Sequence, residues 1–483
     1  MNFEDRIALV GMMGSGKSTV GKRIAQVLEM EYIDLDSEFE RFNGRIEDYF
    51  KKYGEKKFRL QESKILDRIS KKSGIVISTG GGIVENKKNL EILKSMKTFY
   101  LKVDPEILWE RVKGSDRPLV KEGREEFFKR FEMRKSLYEN FEIIDATLSV
   151  EEIMARIVAK VVDAEKIDEF DLYQHVEIFH GKMSDMVDLS IVSKKFKNIW
   201  NFGGIEFDDG EGAKDLSYVQ KIWNLFYSKE LNRNSKVRIA GGGTLTDMAG
   251  FACTTYMRGI NFELVPTTFL GMVDASVGGK FAINFNGVKN LIGSFGKPDV
   301  LIDPIYALSL EYETFMEGIV ESAKMGIIYD KVLFEYMEEK VEKIKLKNLR
   351  VIDEIIKRSV KDKLEITVKD PQDKELRHIL NFGHTVGHGI ESASRNGISH
   401  GRAIASGMII ESKLFSPAFS QRIKNFLNAL DLKIEDISNW KDWIKSDKKR
   451  ENDFLIIPII EEIGRSRLEK IRIKDFSDLR SDI

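Results

Sequence analysis

The sequence predicts an α/β chain of two successive ligand-binding halves, the second ending in an all-helical part. Three observations predict it. Short apolar runs that end in glycines or carboxylates alternate with stretches of helical period from Ile7 to about residue 162. The same alternation resumes near residue 172, after an acidic, glycine-free stretch. Beyond Tyr306 strand signals fade and long amphipathic patterns such as "VLFEYMEEKVEKIK" take over. A chain of 483 residues also exceeds what one hydrophobic core usually serves, so two or three domains are expected.

In order along the chain, Ile7 to Val10 reads as a strand, "GMMGSG" as a loop and "KSTVGKRIAQVLEM" as a helix. "YIDLD", "GIVIS" and "TFYLKV" supply further strands of a parallel sheet, whose ligands belong at the carboxyl ends of the strands. "VEEIMARIVAKVV" closes this half as a helix over 1–162, and "DAEKIDEFD" reads as a charged linker over 163–171. The second half spans 172–483. Strands are expected at "VEIFHG", "MVDLSIVS", "KNIWNFGG", "SKVRIAGGG" and "DVLIDP" within 172–305, and helices over 306–483.

Lys plus Arg number 77 against 78 Asp plus Glu, a formal net charge of −1, so no basic excess points to nucleic acid. The single cysteine, Cys253, excludes an intrachain disulfide framework and reads as a small buried thiol on a helix. No window approaches the ~20 apolar residues of a membrane span. A soluble, unexported, cytoplasmic protein acting on small molecules is expected.

"GMMGSGKST" fits the phosphate-cradling pattern G-x-x-x-x-G-K-[ST] through Gly11, Gly16, Lys17 and Ser18. Glycines let backbone N–H groups converge on phosphate at a helix N-terminus, Lys17 reaches the terminal phosphates, and the Ser18 hydroxyl can ligate Mg²⁺. Asp34 and Asp36 end a strand, where one carboxylate can organise Mg²⁺ and the other accept a proton from an attacking hydroxyl. Arg59, Gly80 to Gly82, Arg117 and Arg134 follow. Two arginines beyond those a nucleotide needs suggest an acceptor with its own carboxylate.

In this order "GMMGSGKST", "DLD", "FRLQE", "STGGG" and "RPL" with "RKSLYE" resemble shikimate kinase over nearly all of 1–162. The resemblance implies that Gly11, Gly14, Ser15, Gly16, Lys17, Ser18 and Thr19 hold ATP under a lid carrying Arg117. It implies that Ser18 and Asp34 serve Mg²⁺, and that Asp36, Arg59, Gly81, Gly82 and Arg134 hold shikimate. Lys17, Asp36 and Arg117 are its expected catalytic residues. Leu35 departs from the family's usual D-T-D at a connecting position.

Four of the 6 His lie between His378 and His400. In "GHTVGH" His384 and His388 stand four apart on one helical face, so both can ligate one metal; the spacing suits equally one ligand and one anion contact. His400 opens the next helix, and Glu321 shares a small-residue helix with Lys324. Upstream, "RIAGGGTLTDMAGF" is a glycine turn between strand and helix that permits close approach to a pyrophosphate, although without G-x-G-x-x-G spacing. Asp274, Lys280, Lys289 and Asn290 then gather among glycines as a polar cleft.

With "DDGEGAKDL", "VPTT", "VDASVGGK", "KNLIGSF", "EGIVESAKMGII", "LRHILNFGHTVGHGIE" and "SHGRAIASGM", these stretches resemble 3-dehydroquinate synthase over roughly 172–483. The resemblance implies NAD⁺ held by Glu211, Lys214, Gly242, Gly243, Asp247, Thr267, Thr268 and Lys289, and Zn²⁺ or another divalent metal such as Co²⁺ on Glu321, His384 and His400. It implies phosphate contacts from Lys280, Asn381, His388 and one of Lys448 or Lys449. Arg377 and Lys363 are to face the substrate carboxylate, and Asp274, Lys324 and Asn290 its hydroxyls. Asp274, Lys324 and His388 are the expected catalytic residues. Arg258 is to reach a neighbouring subunit's site, implying a homodimer. The segment "DPQDKELR" departs from the family's usual D-E-x-E-x-G-L-R, with Pro371 in place of a Glu and no glycine.

Together the resemblances imply a bifunctional enzyme of aromatic amino acid biosynthesis that phosphorylates shikimate and converts 3-deoxy-D-arabino-heptulosonate 7-phosphate to 3-dehydroquinate. Two alternatives remain: another sugar-phosphate cyclase in the second half, or one half decayed to a regulatory module. Intact Lys17, Ser18, Glu321, His384 and His400 argue against decay.

Overall fold

A computed structural model describes residues 5–115, 118–181, 183, 186–394, 397–434 and 454–473. The chain divides into two compact units, one running up to Asp163 and taking in Leu346–Arg350, the other made of Ala164–Lys345 and the residues from Val351 onward.

In the first unit β1 (Arg6–Val10), β2 (Glu31–Asp34), β3 (Ile75–Ser78), β4 (Lys97–Lys102) and β5 (Glu142–Asp145) form one sheet in the order β2-β3-β1-β4-β5. Every pairing is parallel. The central strand is fully buried from Ile7 to Val10, as a strand covered on both faces requires. Helix Lys17–Leu28 follows it directly, so the glycine loop stands at the carboxyl edge of the sheet beside the ends of β2 and β3. Helix Val150–Val161 closes the unit, its start fixed by a capping box between Ser149 and Glu152.

The second unit is built on a seven-stranded sheet of β6 (Glu165–Asp171), β7 (His175–His180), β8 (Leu189–Ser193), β9 (Ile205–Phe207), β10 (Lys236–Gly241), β11 (Asn261–Pro266) and β14 (Asp299–Ile302). Its order is β6-β7-β14-β11-β10-β8-β9, parallel throughout except for the antiparallel edge strand β6. A separate hairpin pairs β12 (Lys280–Phe285) with β13 (Val288–Phe295). Helix Gly243–Thr255 buries Cys253 on its inner face, as expected of that thiol.

Three expectations need correction. Residues 163–171, read as a linker, contain β6, because Glu165–Asp171 pairs along the length of β7; a charged edge strand and a charged tether look alike in sequence. "KNIW" is helical, within Lys194–Trp200, capped by the Ser193 side chain. The part after Tyr306 is not all-helical. Strands β15 (Phe454–Glu462) and β16 (Arg465–Arg472) form an antiparallel hairpin whose Leu455 and Ile457 pack with Val386, Ile390, Ala403 and Ile410 of two helices. Pro458 within β15 disguised that strand.

Candidate active sites

In the first unit the glycine loop folds over the Lys17 ammonium, whose Nζ donates to the Gly11 carbonyl at 2.9 Å and the Met12 carbonyl at 2.8 Å. Gly16 takes φ 91° as the residue before the helix, which leaves the first helical N–H groups directed into the loop. Ser18 Oγ donates to Asp34 Oδ2 at 2.9 Å, so the two residues expected to serve Mg²⁺ are brought together. Asp34 is held there by the Ser37 N–H at 3.0 Å and the Tyr32 hydroxyl at 3.1 Å. Gly14 and Ser15 lie in the loop, while Thr19 is exposed on the helix. Arg117 lies outside the described residues.

Gly80 to Gly82 gather the expected acceptor site, because side chains cross them where a Cβ would stand. A Cβ on Gly82 would lie 2.2 Å from Arg59 Nη2, and one on Gly80 would lie 2.7 Å from Glu62 Oε1 and 3.1 Å from Asp36 Oδ1. Gly81 lies against Arg134 Nη1 in the same way, at 3.6 Å. Asp36, Arg59, Gly81, Gly82 and Arg134 therefore meet. Arg134 is fully buried, and its Nη2 has no hydrogen-bond partner. Such a group is costly unless a ligand completes it.

In the second unit helix Tyr312–Ile328 brings Glu321, helix His384–Ala393 brings His384 and His388, and helix His400–Phe415 begins at His400. Glu321 Oε1 lies 3.5 Å from His384 Nε2 and 3.6 Å from His400 Nε2. These gaps are long for hydrogen bonds; Glu321 Oε1 is buried without one, while Oε2 pairs with the Lys324 ammonium. They are close to the ~3.3 Å between ligand atoms around a tetrahedral ion with bonds of ~2.0–2.1 Å. His384 Nδ1 faces the Phe382 carbonyl at 3.2 Å, which directs Nε2 inward. The three residues therefore fit a divalent metal. Burial opposes a charged Glu321, but the Lys324 ammonium and His400 hold its carboxyl well below the ordinary range. Burial likewise opposes a charged His400, yet Glu321 and Glu391 raise it to about 10; a field that retains a proton so firmly also attracts a dication.

The helices that carry the histidines touch backbone to backbone. A Cβ at Gly407 would stand 2.0 Å from the Gly383 carbonyl oxygen, so glycine alone fits the crossing. Glu411 then accepts from the Gly383 N–H at 2.7 Å and the Val386 N–H at 3.1 Å, fixing the start of the His384 helix.

The turn after β10 fits a dinucleotide. Helix Gly243–Thr255 begins at the carboxyl end of the strand, and side chains on Gly242 or Gly243 would approach Thr268 at 3.2 Å and Ala275 at 3.0 Å. Lys214 Nζ lies 2.6 Å from Asp247, whose carboxyl burial pushes up to about 6 against that ammonium. Glu211 accepts from Asn284 Nδ2 at 2.8 Å. Thr267 donates its N–H to the Gly241 carbonyl, and Thr268 Oγ1 accepts from Gly271.

Around the cleft, Lys363 pairs with Asp274. Arg377 is buried and donates to the Gly278 carbonyl at 3.3 Å. Lys280 pairs with Asp373, from the departing "DPQDKELR" segment. Asn381 ends the turn Leu376–Asn381 that precedes His384. Lys289 and Asn290 are exposed on the β12–β13 hairpin, with the Lys289 charge acting on Glu391. Arg258 is exposed at φ 69°, and Lys448 and Lys449 lie outside the described residues.

The shikimate kinase family model matches residues 13–162, and models of the N-terminal and C-terminal parts of 3-dehydroquinate synthase match 204–317 and 318–450. A bifunctional shikimate kinase/3-dehydroquinate synthase of Thermotoga maritima is 38% identical over 479 residues, covering 95% of this chain and 96% of that protein. The chain belongs to the bifunctional shikimate kinase/3-dehydroquinate synthases. A 3-dehydroquinate synthase of Picrophilus torridus is 39% identical over 298 residues, 59% of this chain and 87% of that one. The fold of a 2-epi-5-epi-valiolone synthase from Streptomyces hygroscopicus subsp. jinggangensis 5008, solved with NAD⁺ and Zn²⁺, matches at a TM-score of 0.58 and 21% identity, covering 63% of this chain and 95% of that chain.

In this bifunctional kinase/synthase several site carboxylates were missed by sequence reasoning. Glu391 lies 3.5 Å from His400 Nδ1, Glu62 accepts from Arg59 at 2.8 Å, and Glu85 accepts from Arg134 Nε at 2.7 Å. Glu391 and Glu62 each carried a signal, three residues after His388 and Arg59 on the same helical face; Glu85 carried none.

Proposed function

We propose that the first unit transfers the γ-phosphoryl of ATP to shikimate and that the second converts 3-deoxy-D-arabino-heptulosonate 7-phosphate to 3-dehydroquinate and phosphate. The single observation that carries this reading is the match with the bifunctional Thermotoga relative, which runs the length of both chains. In this reading the kinase is the unit that runs up to Asp163, and the synthase the unit that begins at Ala164.

In the kinase, Lys17 and the loop N–H groups position the phosphates and Ser18 with Asp34 the Mg²⁺. Asp36 takes the proton from the attacking hydroxyl while Arg59 and Arg134 hold the acceptor's carboxylate. In the synthase, the Gly242–Gly243 turn, Lys214 and Asp247 hold the dinucleotide, and Glu321, His384 and His400 the metal. When bound, NAD⁺ accepts and returns a hydride and the metal polarises the oxygen under oxidation. Lys363 and Arg377 orient the substrate carboxylate, Asp274 and Lys324 its hydroxyls, and Lys280, Asn381 and His388 its phosphate. A cytoplasmic homodimer in which Arg258 completes the partner's site accompanies this reading. Among the described residues no helix is long and apolar enough to cross a membrane.

The test supplies each substrate separately. Phosphate release from the heptulosonate phosphate with NAD⁺ and metal, and ADP formation from shikimate with ATP, are expected; failure of either removes that half of the proposal.

A further inference from the structure

The acceptor site of the kinase already contains a carboxylate where the acceptor's would go. Glu85 Oε1 accepts from Arg134 Nε at 2.7 Å, and its Oε2 lies 3.9 Å from Arg59 Nε. One internal carboxylate thus spans the two arginines assigned to the substrate. The neighbouring charges are otherwise matched. Arg59 Nη1 donates to Glu62 at 2.8 Å, and Glu55, 3.3 Å from Arg59 Nη2, is shared with Arg130 at 3.8 Å. An arriving anion therefore meets guanidinium groups that each have a carboxylate partner. Arg134 Nη2 and Arg59 Nε nevertheless remain buried without hydrogen bonds, so the cluster is incomplete as a closed ion-pair network.

Of these carboxylates Glu85 alone reaches both Arg134 and Arg59 and is also free to leave; Glu55, exposed as well, touches Arg59 and Arg130 but not Arg134. The Glu85 side chain is 37% exposed against 2% for Glu62, and it ends the short turn Ile83–Glu85 at the pocket's rim. We propose that Glu85 is a built-in competitor for the acceptor's carboxylate: it occupies Arg134 and Arg59 until the acceptor binds, then swings into solvent, and thereby sets acceptor affinity. This inference rests on the reading of the first unit as a shikimate-phosphorylating kinase.

Glu85→Gln keeps the shape and removes the charge. It is expected to lower the KM for shikimate about fivefold, the scale of a partly exposed ion pair, with the change on KM and not on kcat. The KM for ATP should stay at the wild-type value. Benzoate, a carboxylate without ring hydroxyls, is the second probe, and its dissociation constant by calorimetry should fall in the variant. Glu85→Asp retains the charge on a shorter arm and should fall between the two. An unchanged or raised KM and benzoate constant in Glu85→Gln would overturn the proposal and make Glu85 a support for Arg134. A wild-type protein that binds benzoate but does not phosphorylate shikimate would overturn the kinase reading instead, while the benzoate comparison would still decide the competitor role.

Discussion

At the scale of single residues, the metal cluster separates two histidines that sequence spacing leaves equivalent. His384 Nε2, like His400 Nε2, faces Glu321, whereas His388 groups with Glu391 and His400 on the other side. His400→Ala should purify without stoichiometric metal and without cyclising activity, and His388→Ala should retain metal while losing turnover; metal analysis by plasma emission checks both. Equal loss from the two variants would make His388 a metal ligand as well, as the spacing of His384 and His388 on one helical face also allows. In the kinase, Lys17→Ala should abolish ADP formation with shikimate and leave phosphate release by the synthase intact, read in parallel assays on one preparation. Beside Lys363 on the same helix, Asp362 is a buried carboxyl whose Oδ2 has no hydrogen bond, and burial, reinforced by Asp330 and Glu365, raises it to about 8. The folded protein keeps this proton where the unfolded chain, with a carboxyl near ~3.9, has released it. The stability it contributes is therefore complete below about pH 4 and is lost as pH rises through about 8. Asp362→Asn should remove that loss, so that between pH 5 and 8 its unfolding free energy, from denaturant titration, gains on the wild type by on the order of 3–5 kcal/mol. Parallel unfolding free energies would show the carboxyl to be ordinary.

At the scale of elements, the hairpin of β15 and β16 supports the metal helices from below. Ile457 is fully buried against helices that carry His384 and His400, although it is far from both in sequence. Ile457→Ala should cost about 2–5 kcal/mol and loosen the metal ligands, detectable as weaker zinc retention against a chelator. A variant that loses stability with unchanged zinc affinity would uncouple hairpin from site. The phosphate loop and the histidine helix were legible because their chemistry is written within a few residues: glycines before Lys17, and two histidines one turn apart. Glu85, Glu411 and Asp373 were not, since each reaches its partner only through tertiary approach. The hairpin escaped for a different reason. Its strands alternate imperfectly around Pro458, and the helical patterns before it set the expectation. Strand β6 escaped because the pairing that makes it a strand belongs to β7, not to its own composition.

At the scale of the whole molecule, the two chemistries are not consecutive. The synthase's carbocycle must be dehydrated and reduced before it becomes the kinase's acceptor, and the chain carries no motif for those steps. Supplied only with the heptulosonate phosphate, NAD⁺, metal and ATP, the protein should accumulate dehydroquinate and form no phosphorylated carbocycle, as mass spectrometry of the mixture would record. Detection of shikimate 3-phosphate with no other enzyme added would refute two independent sites. Separation of the halves should be attempted between Asp163 and Ala164, since a cut at residue 168 would bisect β6. That strand also governs how the synthase half behaves in concentrated solution. Five of its seven residues are charged, and it covers the flank of β7, whose "HVEIFH" would otherwise offer unpaired N–H and C=O groups to any extended chain. The opposite edge, β9, is only three residues long, too short to template much pairing. A synthase fragment begun at 172 would present β7 as its new edge and should self-associate into β-rich aggregates that a fragment begun at 164 does not form.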